Sequence, residues 1–134
     1  MTHAADIAAS LARIEEIAIA TVEALPAPFA AAAREVALQI EDLPDARMLA
    51  DLDIDDPLML TGLYDGVPMT QKSAAYPEPW ADTVWLFRQP ILAELSTRDG
   101  VTLEELVAHV TIHEFAHHFG WSDDDIASID RWWE

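Results

Sequence analysis

The stretch from Leu103 to Phe119 limits the fold most, because its apolar residues fall on two sides of a single helix. Thr102 and Glu105 form a T-x-x-E capping box after the turn at Asp99-Gly100, which sets the helix start. Leu103, Leu106, Val107 and Val110 make one apolar face, and Ile112, Phe115, Ala116 and Phe119 make a second. A helix apolar on two sides belongs between layers rather than on a surface. Gly120 follows as a natural left-handed cap and lets the chain turn back. Ser122 and Asp125 then open a last helix by the same capping logic, with Ile126 and Ile129 inward and Trp132 and Trp133 as packing residues.

The rest of the chain supplies partners for this helix. Ile7, Leu11, Ile14, Ala18, Val22 and Leu25 recur at three- and four-residue steps, so residues 4–25 are expected to form an amphipathic helix stopped by Pro26 and Pro28. A short helix is expected in FAAAAREV, residues 29–36. Val36, Leu38 and Ile40 alternate with Ala37, Gln39 and Glu41, the pattern of a half-buried strand ending at Pro44. Residues 43–57 are acidic and are expected to be a solvated loop. Asp51, Asp53 and Asp55 begin like a calcium loop, but Asp56 stands where a Gly is needed and Gly62 where a bidentate Glu is needed. Residues 58–72 suggest a hairpin turning at Asp65-Gly66, with Pro68 holding the return strand to an edge. DTVWLF, residues 82–87, is another strand, and ILAEL after Pro90 begins a short helix. The expected architecture is α+β, one domain over residues 1–134, with a small mixed sheet packed on the central helix.

Composition removes several classes of function. The chain has 134 residues and 51% of them are hydrophobic, enough for a core without staples. It has no cysteine, so disulfides, thiolate nucleophiles and thiolate metal sites are excluded, and any metal must use His, Asp, Glu or backbone ligands. Twenty-five acids against seven bases give a net charge of −18, which repels phosphate backbones and anionic membranes. No apolar run approaches the ~20 residues of a membrane span. The start MTHAADIAASLAR lacks the basic and apolar blocks of a secretory signal, so a soluble cytoplasmic protein is expected, and separately a monomer.

The chemistry resides in His113, Glu114 and His117, an H-E-x-x-H on the central helix. Residues four apart lie one turn apart on one face, so both imidazoles reach one zinc ion at about 2.0–2.1 Å. They continue the row of Leu106 and Val110, which suggests burial, and two buried imidazoles need a metal or a hydrogen-bonded partner. Glu114 is rotated by about 100° from His113, beside the ion rather than on it. Zinc lowers the pKa of a bound water to about 7, and Glu114 is placed as the general base for it. Asp123, six residues beyond His117, is the candidate third ligand once Gly120 turns the chain. Asp123, Asp124 and Asp125 are also the acids a helix favours in its first turn. A methionine turn is missing after the helix, since the last Met is Met69, and the only Glu after Glu114 is Glu134, so neither large branch of H-E-x-x-H enzymes is matched. His118 points away from His117 and is expected beside the site or on the surface, and His109, one turn before His113, is expected as a packed, hydrogen-bonded histidine rather than a group beside the metal or substrate. Tyr64, Tyr76, Arg88 and His109 are candidate donors to an oxyanion.

The segments EALP (23–26) with Phe29, VALQIEDLP (36–44), TGLYDGVP (61–68), WLFRQPI (85–91) and HEFAHHFGWSD (113–123) together resemble the small bacterial zincin-like metallopeptidases, the minimal zincins. The resemblance covers most of the chain, and its most specific parts are GLYDGVP and HEFAHHFGWSD. It implies an α+β fold with a small sheet against the metal helix and a short C-terminal helix. It also implies zinc at His113, His117 and Asp123, Glu114 as catalytic base, and a peptide or protein substrate. The acidic stretch at 47–57 departs from the family and is expected away from the site. Two other readings remain open at this level: a zinc- or peptide-binding module with little turnover, and a non-haem iron enzyme using two histidines and a carboxylate. Glu114, idle in oxygen chemistry, favours hydrolysis.

Overall fold

The first apolar stripe forms helix α1 (Ala4–Glu23), which buries Ile14, Ile17, Ala18 and Val22. The computed structural model describes residues 4–26, 29–66 and 82–119. Helix α2 (Phe29–Ala33) is shorter than the segment expected. It leads into strand β1 (Ala37–Glu41), where the alternation of Leu38 and Ile40 places the strand as expected. The acidic stretch is not one continuous loop. Asp45 caps helix α3 (Ala46–Asp51) by accepting from the Met48 N–H at 2.8 Å. Asp56 likewise opens a single 3-10 turn over Pro57–Met59. Acidic residues suit helix N-termini, so a run dense in Asp supplies caps as readily as it supplies a solvated loop.

Strand β2 (Gly62–Asp65) and strand β3 (Thr83–Phe87) complete a three-stranded sheet among the described residues. Its order is β1-β3-β2, with β1 parallel and β2 antiparallel to β3. The expected return strand of the hairpin lies outside the described residues, and the antiparallel partner seen for β2 is β3. Helix α4 (Arg88–Leu95) follows β3 directly, so Pro90 sits in a first helical turn, where its missing N–H costs nothing.

Helix α5 (Leu103–Phe119) starts at the expected capping box. Glu105 N–H donates to the Thr102 hydroxyl at 3.1 Å, and Thr102 N–H donates back to Glu105 at 3.1 Å. Leu106, Val107, Val110, Phe115, Ala116 and Phe119 are all buried, as a helix between layers requires. Leu38, Ile40, Val84, Leu86, Gly62 and Tyr64 share the sheet face turned to this core, by the register of the three strands. One cluster of buried residues then joins α1, β3, α4 and α5. Among the described residues no helix is long and apolar enough to cross a membrane.

Candidate metal centre

Two adjacent rows of α5 define the site. His109, His113 and His117 form one row, with ring centroids 6.1 Å apart for the first pair and 5.1 Å for the second. The row does not continue the buried stripe. Leu106 and Val110 are buried, but His113 is only half-buried and the His117 side chain is 49% exposed. A cleft of about 310 Å³ opens over His109 and His113. It is bounded by Met59–Gly62, by Glu94 and Arg98 at the end of α4, and by His109, His113 and Glu114. The expected cost of burying both imidazoles therefore does not arise, and the pair is reachable from solvent.

Val110, Glu114 and His118 form the second row, and β2 lies over it. A Cβ on Gly62 would stand 2.8 Å from Val110 Cγ1 and 3.0 Å from Glu114 Cγ, closer than side chains tolerate. Gly62 is thus what lets the strand descend onto the helix. Phe87 N–H bonds to the Thr61 carbonyl at 3.0 Å, so alternation directs the Gly62 and Tyr64 backbone groups away from β3. The Tyr64 N–H meets the Glu114 carboxylate there. That carboxylate is 13% exposed and its Oε1 lies 4.0 Å from His117 Nε2. Burial pushes its pKa up to about 7, and the Tyr64 N–H opposes part of that rise.

Beyond Glu114 the second row ends in a buried polar cluster. The Tyr64 hydroxyl donates to Asp82 Oδ2 at 2.7 Å, and His118 Nδ1 lies 3.1 Å from the same oxygen and 3.1 Å from the hydroxyl. A carboxylate only accepts, so His118 Nδ1 carries the proton in this arrangement. Asp82 and His118 are each 3% exposed, so of the two places expected for His118 it takes the one beside the site and not the surface. Its row on α5 faces β2, where the Nδ1 of the buried imidazole meets a carboxylate. Gly66 was expected as a hairpin turn, and it has a second reason to be glycine: a Cβ would lie 2.5 Å from Asp82 Oδ1.

Of the other candidates, His109 lines the cleft. Arg88 does not: its guanidinium is held by Asp42 at 2.9 Å. Tyr64 is at the site, but its hydroxyl is engaged with Asp82. Tyr76, Gly120 and Asp123 lie outside the described residues. Helix α3 lines a different cavity of about 500 Å³, whose lining includes Tyr64 but neither His113 nor Glu114. Sequence reasoning missed Gly62, Asp82 and the Arg98–Glu94 pair at 3.2 Å on the cleft wall.

The donors described fit zinc. They are two imidazoles one turn apart on a row open to a cleft, without thiolates, which is the ligand type and access a catalytic zinc needs. Among the described residues no group of three His, Asp or Glu could hold a metal ion, and the expected third ligand falls beyond them. A family model described as zincin-like metallopeptidase matches residues 33–133. No curated protein matches the chain.

Proposed function

Because the chain belongs to the zincin-like metallopeptidase family, we propose that it hydrolyses peptide bonds, with zinc held by His113, His117 and Asp123 and with Glu114 as general base. The observation that carries this reading is the placement of Glu114: a largely buried carboxyl 4.0 Å from His117 Nε2, on the wall of the cleft that His113 also lines. Bound zinc would acidify a water and polarise the substrate carbonyl.

Glu114 takes a proton from the attacking water as its oxygen bonds to the carbonyl carbon. It then delivers that proton to the amide nitrogen as the C–N bond breaks. In the metal-free chain burial raises the pKa of this carboxyl and a bound dication would oppose that rise, so its place beside the ligand row is what suits it to accept and return the proton. The substrate lies extended. Among the described residues β2 pairs with β3 alone, and residues 59–62 line the cleft, so a peptide aligned with this strand brings a backbone carbonyl over His113. The net charge of −18 favours neutral or cationic peptides and opposes nucleic acids.

A peptide-library cleavage assay on zinc-loaded protein tests the proposal. Wild type cleaves, and Glu114→Gln keeps its zinc while losing roughly 100-fold or more in rate, the scale of a lost general base. Equal rates in the two proteins would remove Glu114 from the mechanism. Zinc-loaded wild type that cleaves nothing would leave a binding module.

A further inference from the structure

Gly62 and Tyr64 sit two residues apart on one face of β2, and Val110, Glu114 and His118 sit one turn apart along α5. Strand and helix therefore meet twice. At the first meeting Gly62 rests on Val110 and Glu114, with no room for a Cβ. At the second the Tyr64 ring stands edge-on to His118, centroids 5.7 Å apart, and its hydroxyl reaches Asp82. Asp82 immediately precedes β3, so its carboxylate ties β2, β3 and α5 at one point. The Tyr64 backbone N–H lies between these two meetings, against Glu114.

We propose that Tyr64 is the positioning residue for Glu114: the Asp82–His118 pair holds its hydroxyl, and its backbone N–H thereby fixes the carboxylate beside His117. The role rests on Glu114 being the general base. Asp82 and His118 act through Tyr64 and touch no substrate. A surface strand held only by backbone pairing shifts by fractions of an ångström at little cost. Two buried polar side chains that must stay bonded to one hydroxyl resist such a shift. A general base tolerates little displacement, because proton transfer needs hydrogen-bond distance.

Tyr64→Phe removes the hydroxyl and keeps the ring and the backbone N–H. On zinc-loaded protein the variant loses roughly tenfold to hundredfold in kcat, with KM and zinc content unchanged. His118→Asn, which retains a donor near the Nδ1 position, keeps more kcat than His118→Leu. Hydrogen exchange gives a readout that needs no turnover. The residue-64 amide exchanges faster in Tyr64→Phe, while the Phe87 amide, bonded to Thr61, keeps its protection. A variant that melts lower but keeps wild-type kcat and residue-64 protection would show a structural role only and overturn the proposal. So would a His118→Leu protein as active as His118→Asn. If wild type cleaves no peptide, the peptidase reading fails on its own, and the residue-64 exchange rate still decides whether the hydroxyl positions the strand.

Discussion

Glu114 is under two opposing demands. Burial disfavours its charge, whereas the proposed general base has to be charged before it can act. In the metal-free protein this conflict appears as pH-dependent stability. The folded chain binds the proton more tightly than the unfolded chain, whose carboxyl titrates near the ordinary 4.5. Below that pH both states are protonated and burial carries no charge penalty, and above about 7 the penalty is complete. Between these limits, stability should fall by about 1.4 kcal/mol per pH unit as pH rises. Urea unfolding of the metal-free protein should follow this slope, and Glu114→Gln should flatten it. A slope equal in both proteins would mean that Glu114 is more solvated than its 13% exposure indicates. Gly62 makes a second prediction at this scale. Gly62→Ala places a methyl 2.8 Å from Val110 Cγ1 and should cost about 1–3 kcal/mol of stability. It should also slow peptide cleavage by lifting β2 from Glu114, as melting and rate measurements on the one variant would reveal together.

At the scale of elements, helices were more legible in the sequence than the way strands meet them. The capping box at Thr102 and Glu105 is local chemistry, so the start of α5 could be read from four residues. The stripe of Ile14, Ala18 and Val22 defined α1 for the same reason. The pairing of β2 with β3 spans a long loop, and no short-range pattern announces it. The Asp65-Gly66 pair pointed instead to a hairpin. The acidic stretch hid α3, because Asp45 as a cap and Asp45 as a loop residue are identical in composition. Within the site, the spacing of His113, Glu114 and His117 was readable because a helix converts four residues into one turn. His118 was left between a place beside the site and the surface because sequence alone did not reveal which flank of α5 the sheet would cover. Asp82 carried no signal at all: as a polar residue ahead of a strand, it acquires meaning only from Tyr64 and His118, 18 residues behind and 36 residues ahead.

At the scale of the whole molecule, the matched family span begins at residue 33, yet α1 supplies Ile14, Ile17, Ala18 and Val22 to the same core as α5. Helix α5 is therefore braced by both α1 and the sheet. A zinc ion shared between α5 and Asp123 would tie the end of that helix to the segment that follows it. Binding to the folded state alone stabilises it by mass action, so a chelator should lower the melting temperature of wild type. An unchanged melting temperature, with the metal shown to be gone, would speak against a ligand set that joins two segments. The most direct test of the central claim is the zinc content of the purified chain. One zinc per chain is predicted for wild type, with near-complete loss in His113→Ala and in His117→Ala, and weakened binding in Asp123→Asn but not in Asp124→Asn. Undiminished zinc in both histidine variants would contradict the account.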